Sequence, residues 1–395
     1  MNKRFVLVSA LAIVSAIAYV GVERVQAVGA EQVSSNRQTQ GVVDATKGFL
    51  GRLSADERQK VQLAFVPSKS SSTAVFHRTP DGGVAPGAPA GGDDGRPNGP
   101  GGGPPGGFVG EQYGQAVWSN YPVSDVMRPG LRLGSLTIAQ RAAAMHLLQT
   151  VLSPMGYQKV LDIMGSDQAL ADAGTNFASG EAVYTIAIFG EPSISKPWML
   201  EFGGHHLGLN IVIAGSDGVM TPTLTGAQPS VYKRGGKTIR VLAKENDTAF
   251  AFLESLNDSQ RKQAVLNYEV RDLVLGPGRG GVQIQPEGLK GSELDDEQRA
   301  LLLNVIAQWA GILNEAYANG RIAQIKADLQ ETYFAWSGPT SHEPGKNGSS
   351  YYRIQGPRLV IEFSPQGVGG DPTMHVHTIY RDPGNDYGLN LTGGQ

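Results

Sequence analysis

The sequence predicts an α+β protein with antiparallel sheet, made of an internally duplicated unit whose two halves pack as one globule. Three observations predict it. Helix-period segments and β-rich segments segregate along the chain instead of alternating. Chain-reversal signals join neighbouring strands directly. The same blocks occur twice, in the same order.

The N-terminus reads as an export signal. Lys3 and Arg4 precede an uncharged apolar run from Phe5 to Val22, and Val25-Gln26-Ala27 offers a cleavage site. Cleavage after Ala27 is expected, with an uncleaved anchor as the alternative, since the run is just long enough to span a bilayer. The mature protein is then periplasmic or secreted. The chain has no Cys among 395 residues, so disulfides, thiolate metal sites and a Cys nucleophile are excluded. A net charge of −3 argues against nucleic acid as a partner. The sequence fixes neither oligomeric state nor metal identity.

The first half is expected over residues 28–243 and the second over 244–395. The segment from Phe49 (FLGRLSADERQ) matches that from Phe252 (FLESLNDSQRK), with Ser54 and Asn257 suited to cap short helices. Residues 81–107 are about two-thirds Gly and Pro, which reads as a disordered loop without regular elements. The segment from Gly130 (GLRLGSLTIAQRA) matches that from Gly288 (GLKGSELDDEQRA). Thr137 and Asp295 then cap longer amphipathic helices, the second expected to run to about Tyr317, with a further helix over Ile322–Thr332. Tyr184–Phe189 and Tyr351–Ile354 are aromatic and β-branched, as strands are. Gln355-Gly356-Pro357 reads as a turn. Met199–Ile213 and His375–Tyr380 read as core strands. Aligning the last blocks sets Glu201 opposite Glu362.

Four of the seven His fall in two clusters. One is Glu201-Phe-Gly-Gly-His205-His206-Leu-Gly-Leu-Asn210; the other runs from Glu362 through His375-Val-His377 to Arg381, Asp386 and Tyr387. Residues i and i+2 of a strand share a face, so His375 and His377 can bind one metal together. Strand parity from Glu201 favours His205 as their partner, and a bulge at Gly203-Gly204 favours His206. The expected cofactor is a divalent metal, Zn, Cu or Fe, with Glu201 or Glu362 as general base. Trp118, Arg128, Asn210, Arg381 and Asp386 are the candidates for substrate binding, the bland readings being core packing, an ion pair and a turn. Gly276-Pro-Gly-Arg-Gly-Gly281 is a weak anion-loop pattern without the P-loop Lys. His77, His146 and His342 are isolated. The leading function is an exported metal-dependent enzyme acting on a small substrate, with hydrolysis as the simplest chemistry and oxidation with Cu or Fe as the variant. The rivals are a non-catalytic metal- or ligand-binding protein and a purely structural one, in which the histidines never converge.

The motifs W-x-N-Y-P, R-P-G-L, L-E-F-G-G-H-H-L-x-x-N, I-E-F and H-x-H-T-I-Y-R-D with N-D-Y-G resemble the family called domain of unknown function 3500 (DUF3500). The resemblance extends from about Leu50 to Gly388. It implies an exported α+β protein and no particular reaction. It sets Trp118, Arg128, Glu201, His205, His206, Asn210, Glu362, His375, His377, Arg381, Asp386 and Tyr387 at motif positions. The Gly/Pro-rich stretch is a departure that resembles an insertion.

Overall fold

The computed structural model describes residues 34–78, 84–86, 107–175, 177–368 and 370–393. The signal peptide read over 1–27 lies outside the described residues, as does most of the stretch 81–107.

Helices α1 (34–50) and α2 (Ala55–Val61) lead into a two-residue strand, β1 (Gln62–Leu63). Strands β2 (Ser72–Arg78), β3 (Val84–Pro86), β4 (Phe108–Tyr113) and β5 (Ala116–Trp118) form a small antiparallel sheet in the order β3-β2-β4-β5. Strand β3 lies inside the stretch expected to lack regular elements. Its Val84-Ala85-Pro86 interrupts the glycines and pairs with β2. Next come β6 (Leu131–Arg132), α3 (Ile138–Val151), α4 (Pro154–Asp172), β7 (Thr185–Phe189), β8 (Trp198–Gly204), β9 (Leu207–Ala214), β10 (Asp217–Val219) and β11 (Thr223–Ala227). A hairpin, β12 (Val231–Arg234) and β13 (Lys237–Arg240), leads to α5 (Ala243–Ser255) and α6 (Asp258–Ala264). The chain closes with β14 (Leu289–Lys290), α7 (Asp296–Ala310), α8 (Glu315–Ala327), β15 (Tyr333–Ser337), β16 (Tyr351–Gly356), β17 (Leu359–Pro365) and β18 (Val376–Arg381).

The helix starts follow their caps. Ser54, Thr137, Asn257 and Asp295 each accept from the backbone three residues on, and each helix returns a Glu or Gln side chain to the cap backbone. Three expectations shift. The further helix expected over Ile322–Thr332 is α8, which spans Glu315–Ala327. Helix α7 stops at Ala310 rather than near Tyr317, because Gly311 leaves the helix and Asn314 caps a new one through the Ala316 N–H. The turn expected at 355–357 moves to Pro357-Arg358, since β16 runs on to Gly356 and pairs it with Leu359.

A twelve-stranded sheet organises the molecule, in the order β1-β7-β8-β9-β11-β18-β17-β16-β15-β14, with β6 beside β7 and β10 beside β9. Its pairs are antiparallel except β1 with β7. Side chains alternate between faces with period two, and cross-strand partners share a face. One face carries Ile186, Ile188, Leu200, Phe202, Leu209, Ile211, Ile361 and Phe363. The helices cover it, contributing Phe49, Leu147, Leu148, Phe252, Ile306 and Trp309 to a single apolar core. Burying each such side chain stabilises the fold by roughly 1.5–3 kcal/mol. The opposite face carries Glu201, Asn210, Glu362, His377 and Arg381, fixed by the pairs Glu201–Asn210, Glu362–Ile379 and Ser364–His377. Two small apolar patches interrupt it, and β4, β5 and the segment around 273–284 cover it.

Candidate metal centre

Two turns of backbone bring three histidines together. The segment Met199–Ile213 is not one strand but the hairpin β8–β9, whose two-residue loop is His205-His206. His206 takes the left-handed conformation, φ +61°, uncommon for a side chain with a Cβ. That twist turns its ring over the polar face. Gly226 lies directly across from His377 on β11, and a Cβ there would come within 3.3 Å of His206. The bare glycine is the space into which His206 fits. His375 has extended backbone just ahead of β18, so it shares a face with His377 as the H-x-H spacing predicts.

The Nε2 atoms converge. His206 Nε2 lies 3.0 Å from His375 Nε2, which lies 2.9 Å from His377 Nε2. One ligand atom from each residue falls within 4.8 Å of the other two. All three residues are buried, at 1, 7 and 9% exposure. His375 donates its Nδ1 proton to the Val368 carbonyl at 2.8 Å, which leaves its Nε2 as a bare lone pair. Burial, and then the neighbouring imidazoles, hold His206 well below its ordinary value and His375 down to about 3. Burial lowers His377 too, opposed by Asp272. The cluster is therefore a set of neutral rings. The His375 lone pair can accept one good hydrogen bond, yet two nitrogens press on it. A tetrahedral Zn with Zn–N near 2.0–2.1 Å sets imidazole nitrogens about 3.3 Å apart, close to the spacing of His375 Nε2 from each of the other two.

His205 is not among the three. It faces Asp167 on α4, Nδ1 to Oδ1 2.9 Å, and its ring stacks on His206 at 3.7 Å between centroids. Tyr184 donates to its carbonyl. His205 thus braces the ring that belongs to the cluster. Nothing in the sequence marks Asp167. Asn120 places its Nδ2 2.8 Å from His377 Nε2 and 3.0 Å from Nδ1, and its Oδ1 is buried without a partner. It stands inside W-x-N-Y-P, the one signal that marked it.

Glu201 holds strand β5 and Glu362 holds the loop at 274–275. Glu201 accepts from the Val117 N–H at 3.2 Å, and burial raises it to about 8 against the pull of Arg128. Glu362 accepts from the Val274 and Leu275 N–H groups at 2.9 and 2.7 Å and from Tyr351 Oη. No hydrogen bond joins either to the three histidines among the described residues. Arg128 donates to the carbonyls of Ser119, Tyr121 and Val126, so it shapes the loop that carries Asn120. Trp118 is 1% exposed, its indole against Gly208. Asn210 donates to the Pro222 carbonyl at 2.9 Å. Arg381 pairs with Asp386 at 2.9 Å and with Glu111, and lies 4.8 Å over the Trp118 ring. Glu111 also accepts from the Gly278 N–H and from Tyr387 Oη, which ties the glycine-rich loop at 276–281 to the small sheet. His146 is exposed, His342 packs on Phe250 beside Asp247, and the His77 side chain lies outside the described residues.

Fold and centre together define an α+β protein with three buried histidines converging on the polar face of an antiparallel sheet. The chain belongs to the family described as protein of unknown function (DUF3500), whose model matches residues 110–389. The match begins well after Leu50, where the resemblance was expected to start. No curated protein and no solved structure matches the chain.

Proposed function

We propose that His206, His375 and His377 hold one divalent metal, with Zn the first candidate and Cu or Fe as variants. The observation that carries this is three buried neutral imidazoles whose ligand nitrogens all lie within 4.8 Å of one another. Three imidazoles leave a fourth position, the arrangement of a catalytic rather than a structural zinc. We infer an exported metal-dependent enzyme acting on a small substrate, with hydrolysis by a metal-activated water as the simplest chemistry. Export rests on the signal read over residues 1–27. In this reading Glu201 positions strand β5 and Glu362 the loop at 274–275, and neither serves as the base. The rival, a metal-capture protein, draws support from the burial of all three ligands.

The test is the chain from residue 28, purified without chelator or His tag, with bound metal measured by elemental mass spectrometry. Near-stoichiometric metal is expected, lost in the His375→Ala, His377→Ala double variant. A folded protein with no metal after reconstitution with Zn, Cu, Fe and Mn overturns the reading. Metal bound without turnover of any ester, amide or phosphoester screened would favour capture.

We also infer that the chain is a duplicated unit. Support comes from the four matched caps. Gly130 and Gly288 both adopt φ +92°, and a Cβ on either would fall 2.1 Å from a strand carbonyl, of Ile186 and Phe334. Gln62 bridges Ile188 in parallel, and Val265 bridges Trp336 in parallel. The strand order runs β6-β7-β8-β9-β11 inward from one side and β14-β15-β16-β17-β18 from the other. On this reading Glu201 corresponds to Arg353 and Glu362 to Asn210, one strand away from the alignment read in the sequence. The two His clusters then occupy non-equivalent positions.

A further inference from the structure

The metal centre just proposed has an unbalanced charge. Its three ligands are neutral imidazoles, so a divalent ion there carries its full +2 into a buried place. No carboxylate joins the ligand group among the described residues. The nearest acids lie one ring away. Asp272 sits 3.8 Å from His377 Nδ1. Asp167 is engaged by His205, behind His206. A buried charge without a partner is costly in a medium of low dielectric, by several kcal/mol per ion after relaxation. Such a centre draws in an anion that touches the ion directly.

The position for that anion already has a polar neighbour. Asn120 lies against His377, within hydrogen-bond reach of both ring nitrogens. Its Oδ1 is buried and unpartnered, an uncompensated group in the present arrangement. With metal on His377 Nε2, that nitrogen would no longer accept from the amide, and the Asn120 N–H groups beside it would be free to donate to a further ligand of the metal. An amide N–H donates to an oxyanion and has nothing to gain from an alkyl group.

We propose that the fourth position of this centre takes a small oxyanion of the carboxylate class, held by the metal and by an N–H of Asn120. The inference rests on the metal reading and adds to it the class of ligand. It also separates the ligand from Arg381, whose guanidinium is already paired with Glu111 and Asp386.

The experiment uses the chain from residue 28 loaded with Co(II), whose visible bands report changes in coordination. Acetate is titrated against acetamide, its neutral counterpart of nearly the same shape. Acetate is expected to shift the bands saturably at concentrations where acetamide does not. Asn120→Ala is expected to bind Co(II) at unchanged stoichiometry and to weaken acetate about tenfold to a hundredfold, as loss of one hydrogen bond to a charged group does. Co(II) bound through the histidines with bands that acetate leaves unmoved, or that acetamide moves equally, overturns the anion proposal while the metal reading stands. Acetate affinity unchanged in Asn120→Ala removes Asn120 from it. Failure to bind Co(II) at all overturns both.

Discussion

His206 occupies the third corner of the cluster because a glycine across the sheet has no side chain. A Cβ on Gly226 would meet the Val376 carbonyl at 2.6 Å and the His206 ring at 3.3 Å. The backbone oxygen cannot yield without disturbing β18, which carries His377 and follows directly on His375. Gly226→Ala should therefore destabilise the fold by about 1–3 kcal/mol, as overpacking does, and lower the occupancy of the proposed metal as well. Thermal unfolding and elemental analysis of the same sample check both. Gly320 is the contrast. It lies within α8 and a Cβ there meets nothing within 4 Å. Gly320→Ala should stabilise by about 0.5–1 kcal/mol and leave metal content unchanged. At the same scale, Arg381 and Glu111 are both almost fully buried. Arg381→Met leaves Glu111 a buried acid without its cation, and should cost about 3–5 kcal/mol. Denaturant titration with a retained far-ultraviolet spectrum would measure it.

The elements obey rules that act over a few residues, and those were legible. The four capping boxes have their partners three residues apart, within one helical turn. Thr137→Ala and Asp295→Ala should each destabilise by about 1 kcal/mol, and by similar amounts if the two helices play equivalent parts. Equilibrium unfolding of both variants tests that equivalence. The H-x-H pair was legible for the same reason, since two residues on one strand fix their own geometry. What the sequence did not disclose depends on distant chain. Strand parity favoured His205, but parity holds only while the strand continues, and the chain turns back at that dipeptide. The choice of His206 depends on Gly226, twenty residues on, and on Asp167, which holds His205 aside. Glu201 and Glu362 fell in the same sequence clusters as the histidines, yet their oxygens face strand β5 at residue 117 and the loop at 274–275, which cross the sheet. A run of local signals cannot show which loop will cover which strand.

Across the described residues the sheet separates two chemistries, an apolar face under helices and a buried polar face under the small sheet and the segment around 273–284. The polar face holds acids away from water. Burial raises Glu201 from 4.5 to about 8, opposed by Arg128 and the Val117 N–H. Burial likewise raises Asp386 from 3.8 to about 7, opposed mainly by Arg381. Each of these acids binds its proton more tightly in the folded chain than in the unfolded one. Their contribution to stability is therefore greatest below the unfolded values, near pH 4. It declines as pH rises, until Asp386 ionises near 7 and Glu201 near 8. Folding stability measured by urea titration between pH 5 and pH 8 should fall with pH by these two groups. Glu201→Gln removes one of them and keeps an acceptor for the Val117 N–H, so its stability should fall less steeply over the same range. A Glu201→Gln slope equal to that of the parent protein would mean that Glu201 is ionised in the folded state, with Arg128 outweighing its burial.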